Sequence, residues 1–179
     1  MELHPRFTWV TLIAPIGGVI IAAVGIAIGL AQYHQNSVAA RAKETLEYVK
    51  RYYEQPVLDS NVRNARFWQD KALKQQKKLK EKEFEQYIVS TYRDSSNNGL
   101  NGDGDILVGF FENLYACTCK ELCDPVLVKH FFAEYAYTLY DQLAPYIEAR
   151  VKEEPGFARG LSRLGTAQDP GNMPCIDDH

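Results

Sequence analysis

The stretch ILVGFFENLYACTCKELCDPVLVKHFF, residues 106–132, contains two apolar segments that are separated by a short polar break. Apolar residues recur around the first segment at helical spacing, which predicts a helix that is buried on most of its sides. Asp124 and Pro125 are typical of a helix start, because Asp caps the first turn and Pro fits the first helical position. The short link predicts that the two helices pack antiparallel as a hairpin.

Shorter amphipathic segments surround this hairpin. Apolar residues at spacings of three and four predict helices around residues 46–53, 67–73, 84–92 and 157–164. We expect Gln55-Pro56 to end the first of these helices, and Asp59 or Ser60 to cap the second. We also expect the second helix of the hairpin to continue through Pro145 with a kink.

The segment WVTLIAPIGGVIIAAVGIAIGLA, residues 9–31, predicts a transmembrane helix near the N-terminus. At 1.5 Å per residue it would be about 34 Å long, which is enough to cross a hydrocarbon core of about 30 Å. A cleaved signal peptide would have a shorter apolar region after a more basic start. Trp9 and Tyr33 bracket the segment and Arg41 and Lys43 follow it, as residues at a membrane interface do.

The predicted fold class is all-α, with one N-terminal transmembrane helix that continues into a small soluble helical bundle. The predicted divisions are a short extracytoplasmic N-terminus (1–8), the transmembrane helix (9–32), a juxtamembrane helix (33–56), a cytoplasmic helical domain (57–165) and an irregular tail (166–179).

The orientation follows from charge and from cysteine usage. Positive charges after the apolar segment outnumber Arg6 before it, which predicts that the helical domain is cytoplasmic. No Asn-x-Ser/Thr acceptor occurs, which is consistent with a bacterial setting, so the expected membrane is a bacterial inner (plasma) membrane. Three of the four cysteines are crowded together, unlike a secreted disulfide framework, so the sequence predicts free thiols in a reducing compartment. These cysteines are Cys117, Cys119, Cys123 and Cys175.

Small residues follow one face of the predicted transmembrane helix. Gly18, Ala22, Gly25 and Gly29 are spaced by four, three and four residues. Such a face lets a neighbouring helix approach closely, so we expect a helix–helix contact in the membrane, with another subunit or with a second copy of this chain.

A lysine-rich run follows the second predicted helix. The simplest interpretation is a solvated helix or turn without a binding function, because glutamates are interleaved with the lysines. The alternative, which assigns the lysines a function, is a basic patch that contacts anionic lipid headgroups. Nucleic acid is not expected, because no aromatic pattern accompanies the charges. The candidate lipid-contact residues are Lys71, Lys74, Lys77 and Lys78.

The loop before the hairpin resembles part of a calcium-binding loop. Asn101, Asp103, Asp105 and Glu112 occupy positions 1, 3, 5 and 12 of that pattern. The glycine required at position 6 is replaced by Ile106, and Asp103 or Asp105 as a helix cap explains the acids without a metal. We therefore expect no metal ion, and the calcium loop stays a minor alternative.

Other catalytic chemistry has no support in the sequence. No phosphate-binding loop, Gly-x-Ser-x-Gly, Rossmann glycines or His-Glu-x-x-His is present, so we expect no catalytic residues and no cofactor. Cys119 and Cys123 lack the spacing of a zinc knuckle. His130 is expected to be a packed or surface residue, and Glu112 and Glu134 are expected to form at most ion pairs.

Three stretches carry a resemblance to a known family. They are AQYHQNSVAARAKETLEYVKRYYEQPVL (31–58), ILVGFFENLYACTCKELCDPVLVKHFF (106–132) and LAPYIEARVKEEPGFARGLSRL (143–164). Their order resembles an uncharacterised bacterial family of membrane-anchored helical proteins, the domain of unknown function numbered 4760. The resemblance implies a membrane helix followed by a small helical domain, and it implies no activity.

The sequence favours a non-enzymatic function that depends on contacts. We expect an accessory or scaffolding subunit of a larger bacterial membrane protein complex, which binds the bilayer and other membrane-protein subunits or itself. The alternative is a membrane-anchored sensor or effector that homo-oligomerises and binds a small ligand such as a nucleotide second messenger. Arg63, Arg66 and Arg93 are its candidate ligand contacts.

Overall fold

The computed structural model of the protein describes residues 8–94, 100–166 and 175, and it describes side chains from Val24 onward. All regular secondary structure in these residues is helical, which confirms the all-α class. The chain forms two units, Met1–Ala40 and Arg41–His179. The helices are α1 (Thr8–Tyr52), α2 (Val57–Phe67), a π-helical turn (Trp68–Ala72), α3 (Leu73–Gln76), α4 (Glu81–Arg93), α5 (Asp103–Cys119), α6 (Pro125–Val151) and α7 (Arg159–Thr166).

The first unit consists of the N-terminal part of α1. Its described apolar side chains are more than half exposed, and they are Val24, Ile26, Ile28 and Leu30. Across the described part of the chain, no helix meets both the length and the hydropathy that a membrane crossing requires. Trp9, Gly18 and Ala22, which the sequence assigned to the membrane, lie in α1, but before Val24, where the description of side chains begins.

The second unit has its core around α5. Nine of the seventeen residues of α5 are buried, including Leu107, Phe111 and Leu114, because apolar residues lie on most of its sides. The last turn of α1 contributes Tyr52, whose ring lies 5.4 Å from that of Phe110. A helix that is apolar on most sides is stable only when other helices surround it. Helices α2, α6 and α7 contact α5, and α4 packs against α6.

Helices α5 and α6 form the predicted antiparallel hairpin. Phe111 near the middle of α5 contacts Phe132 early in α6, whereas Asp105 at the start of α5 bonds Tyr146 late in α6. Asp124 caps α6 as expected, since its Oδ1 accepts hydrogen bonds from the backbone N–H groups of residues 126 and 127. Helix α6 continues through Pro145, also as expected, and the kink there stays a prediction.

The predicted start of the second helix was wrong. Helix α2 begins at Val57, directly after Pro56, and no side chain caps it; the Gln55–Pro56 peptide bond is cis. Ser60 does not cap the helix, because it lies within α2 and not before it. Its side chain is fully buried, and its hydroxyl donates a hydrogen bond to Asp103 of α5. Sequence spacing alone does not reveal such a long-range partner.

Helix α7 packs so closely on α6 that only glycine fits at one position. A Cβ atom at Gly165 would lie 2.8 Å from the backbone nitrogen of Tyr137 and 3.1 Å from the carbonyl carbon of Ala136. Backbone atoms cannot move aside as the end of a side chain can, so α7 would have to shift.

We predict that Gly165→Ala lowers the free energy of unfolding by about 1–3 kcal/mol, because it overpacks the α6–α7 contact. Gly109→Ala in α5 is the matched control, since a Cβ atom there meets nothing within 4 Å. That change should raise stability by about 0.5–1 kcal/mol, as removal of a helical glycine does. Urea unfolding of the full chain in mild detergent, followed by circular dichroism, measures both. Equal effects of the two substitutions would contradict the close packing.

Candidate functional site: a cationic cavity beside a buried polar network

A buried carboxylate joins α2 to the start of α5. Asp103 is only 2% exposed, and Arg63 binds it through two hydrogen bonds, Nε to Oδ2 at 2.8 Å and Nη2 to Oδ1 at 2.6 Å. The hydroxyl of Ser60 donates a third hydrogen bond to Oδ1 at 2.9 Å. Because a buried charge without partners is very unfavourable, these three groups hold the two helices in one arrangement.

A second set of buried polar groups lies beside this ion pair. Tyr92 of α4 donates a hydrogen bond to the side-chain oxygen of Asn64, whose amide nitrogen donates to Gln142 of α6 at 3.0 Å. The indole N–H of Trp68 donates to the Tyr92 hydroxyl at 3.3 Å. Burial raises the pKa of the Tyr92 hydroxyl above its ordinary value, so it stays protonated and can donate. The network thus joins α2, α4 and α6.

A cavity of about 240 Å³ opens next to the network, between the end of α2 and α4. Its cationic wall comes from Arg63, Arg66 and Lys71, and its apolar surface comes from Phe67, Tyr87 and Leu100. Arg63 and Arg66 were expected as ligand contacts, and the structure brings both to this cavity. Arg93, the third expected contact, instead pairs with Glu153 at 2.7 Å.

The cavity residues that sequence analysis missed are Phe67, Tyr87 and Leu100, together with Ser60 and Asn64 of the network. One signal was available for the last two. Ser60, Asn64 and Phe67 are spaced by four and three residues and are all buried. Polar residues on the buried face of a helix usually have partners in the core, so this pattern indicated a network without identifying its members.

The calcium loop does not form. Helix α5 begins at Asp103, so positions 3 to 12 of the pattern are helical and cannot wrap around an ion. Asp103 is bound by Arg63, and Asp105 accepts a hydrogen bond from Tyr146 at 2.8 Å. Asn101 is exposed in a turn. In the part of the chain that the structure describes, no group of three or more His, Cys, Asp or Glu is placed to hold a metal ion.

Glu112 of α5 contacts the start of α7. Its Oε1 accepts a hydrogen bond from the backbone N–H of Leu161 at 3.0 Å, in the first turn of α7. Burial raises the pKa of the Glu112 carboxyl, and the N–H groups of Leu161 and Gly160 oppose this effect. Glu134 is exposed on α6. His130 is also exposed and packs against the ring of Phe131, with centroids 5.1 Å apart.

The prediction of free thiols was wrong. Cys117 is bonded to Cys123 and Cys119 to Cys175, with Cα–Cα distances of 5.3 and 5.4 Å. After α5 the chain turns back at Glu121, which has a positive φ of 55°, and the N–H of Cys123 bonds the carbonyl oxygen of Cys117. This turn brings together two cysteines that helical periodicity places on different faces.

The lysine-rich run is exposed, and the residues Lys71, Lys74, Lys77 and Lys78 all reach the surface. Only Lys71 lines the cavity. The charges of the run fall on the π-helical turn, α3 and the turn that follows it, so they do not form one straight helical face. Contact of these lysines with lipid headgroups stays a prediction.

The residues assigned to the membrane interface and to the small-residue face of the transmembrane helix are described in part. Tyr33 is 74% exposed and Lys43 is exposed. Arg41 instead forms an ion pair with Glu121 at 2.9 Å, so it contributes to the second unit. A Cβ atom at Gly25 or Gly29 would meet nothing within 4 Å, so both positions present an open surface.

No protein-family model, no curated protein and no solved structure matches this chain in the comparisons made. The resemblance to the family numbered 4760 therefore stays a prediction.

We predict that Arg63 and Asp103 are strongly coupled. Arg63→Met should lower the free energy of unfolding by about 3 kcal/mol, because it leaves the Asp103 carboxylate buried without its charge partner. A double-mutant cycle with Asp103→Asn, measured by urea unfolding of the full chain in mild detergent, isolates the coupling. The control cycle uses Lys50→Met and Glu54→Gln, an exposed pair 3.7 Å apart whose coupling should be below about 0.5 kcal/mol. Equal coupling in the two cycles would refute the structural role of Asp103.

Proposed function

We propose that the protein is a non-enzymatic, membrane-anchored helical module that acts as an accessory subunit of a membrane protein assembly. The observation that carries the proposal is the exposure of Val24, Ile26, Ile28 and Leu30 along α1, each more than half exposed. At 100° per residue these side chains fall on opposite sides of the helix. A helix that is apolar on opposite sides needs surroundings of lipid or protein, because water solvates it poorly.

The proposed anchor is the segment 9–32, of which residues 24–32 have described side chains. Residues 9–31 contain no charged side chain, and the apolar run has the length that a bilayer requires. The described helices alone do not meet that requirement. The support for an anchor is therefore the sequence of residues 9–23 together with the exposed apolar surface of residues 24–30.

We further propose that the second unit faces an oxidising compartment, which reverses the orientation expected from charge. Disulfides persist in the periplasm or outside the cell and are rare in the cytosol, where thiols are kept reduced. Two disulfides join all four cysteines of the chain. The excess of positive charge after the apolar segment supports the opposite orientation, but its margin is small, and Arg41 is engaged by Glu121.

Two surfaces are available for the proposed contacts. Gly25 and Gly29 have open space above their backbone, which suits the close approach of another helix. In the second unit, Val126 and Tyr137 of α6 are each 61% exposed. Leu122, just before that helix, is 57% exposed. We propose that these side chains contact a partner subunit.

We predict that the full chain stays in the membrane pellet after an alkaline carbonate wash. Ile20→Lys combined with Ile21→Lys should release it, because a charge at the centre of a membrane helix costs about 3 kcal/mol per residue. Leu46→Lys is the control on the same helix, since Leu46 is already 52% exposed within the second unit. Release of the unaltered chain by carbonate would contradict the anchor.

The accessory role is tested by a second experiment on the same membranes. Purification in mild detergent followed by mass spectrometry should recover other membrane subunits in fixed stoichiometry. Gly25→Leu with Gly29→Leu should lose them, because leucine blocks close helix approach. Ile26→Leu with Ile28→Leu conserves volume and should retain them. A chain that purifies alone, with anchoring intact, would contradict the accessory role.

A further inference from the structure

We propose that the cavity between α2 and α4 binds a small aromatic anion: one ring that carries a carboxylate or phosphate group. This goes beyond the contact function, because the cavity lies wholly in the second unit and needs no membrane partner. No occupant of this cavity follows from the proposed accessory role.

One helical face supplies most of the cavity. Arg63, Arg66, Phe67, Asp70 and Lys71 are related by spacings of three, four, seven and eight residues, so they share one side of α2 and its extension. The extension is the π-helical turn Trp68–Ala72. Such turns are rare and occur frequently at functional sites, because the wider turn is kept at a cost in hydrogen-bond geometry.

The cationic side of the cavity has the positive charge and a fixed arginine that an anion requires. Arg63 is held in place by Asp103 through Nε and Nη2, and these bonds do not use Nη1. None of the ion pairs in the described part of the chain involves Arg66, Lys71 or Asp70. Asp70 is the single carboxylate of the lining. Because Asp103 neutralises Arg63, the cations Arg66 and Lys71 leave one positive charge in excess over Asp70.

The apolar part of the cavity suits a ring. The aromatic rings of Phe67 and Tyr87 lie 6.0 Å apart with an angle of 31° between their planes. Phe67 is 7% exposed and Leu100 is 4% exposed, so both are fixed by the core. The Thr91 hydroxyl donates to the Tyr87 carbonyl oxygen at 2.8 Å and is therefore already engaged. A ring placed here gains apolar contact and edge-to-face contact with aromatic neighbours.

The volume limits the ligand to a small molecule. A cavity of about 240 Å³ holds about eight water molecules at roughly 30 Å³ each. It is smaller than the 300–1,000 Å³ that drug-sized ligands occupy. A benzoate or a phenyl phosphate matches this space, whereas a dinucleotide second messenger is much larger than it. The volume therefore favours a single-ring anion over a dinucleotide as the ligand of a sensor function.

The test uses the full chain in mild detergent and isothermal titration with phenyl phosphate. We expect a Kd of about 1 mM or tighter. A ligand of this size that makes one charge contact in a pocket reaches a binding free energy of about −4 kcal/mol. Inorganic phosphate lacks the ring and phenol lacks the charge, so each should bind at least tenfold more weakly. Binding of either fragment as tightly as phenyl phosphate would overturn the proposal.

Substitutions locate the binding within the chain. Arg66→Gln with Lys71→Gln should weaken phenyl phosphate binding at least tenfold, because it removes two cations of the wall. Lys74→Gln with Lys77→Gln removes two exposed cations outside the cavity and should leave the Kd unchanged. Circular dichroism checks that all variants fold. Equal affinity in both double variants, or no heat of binding up to 10 times the expected Kd, would overturn the proposal.

Discussion

The buried carboxylate of Asp103 is the constraint on which the second unit depends. A carboxylate that is 2% exposed is tolerated only with charged and hydrogen-bonding partners, and α2 supplies both through Arg63 and Ser60. Asp103 also stands at the first position of α5, where the helix dipole favours a negative charge. The side chain therefore attaches α2 to the start of α5, and α5 contributes nine buried residues to the unit.

The same ion pair links the fold to the candidate site. Arg63 is half-exposed, so one edge of its guanidinium satisfies Asp103 while the side chain lines the cavity. A guanidinium held in this way loses little conformational freedom on binding an anion, which is the benefit of preorganisation. At the other end of α5, the disulfide between Cys117 and Cys123 fixes the turn into α6, so both ends of the central helix are held by specific bonds.

Features with local causes were predictable. The cap at Asp124 and the length of α6 follow from residues that are neighbours in the sequence, and the structure has them as expected. The end of α1 at Tyr52 lies one residue from the expected position. The partners of Asp103 and of Cys119 are 40 and 56 residues away, and local patterns carry no information about such pairs. The acids before α5 were therefore compared with a calcium loop, and the cysteines were taken for thiols.

The cavity shows the same limit. Arg63 and Arg66 were singled out for their charge, but Phe67, Tyr87 and Leu100 look like ordinary core residues in the sequence. Only the packing of α4 against the end of α2 places an aromatic surface opposite those cations. Charge is visible in a sequence, whereas the shape of a cavity depends on which helices meet.

Hydrogen exchange of the backbone amides in Asp103→Ala tests the role of this carboxylate most directly. We predict that residues 57–67 lose protection by at least tenfold relative to the unaltered chain, because α2 loses its attachment to α5. Residues 125–151 of α6, which the aromatic core also holds, should lose much less. Unchanged protection of residues 57–67, or an equal loss in both segments, would contradict the claim that Asp103 sets the position of α2.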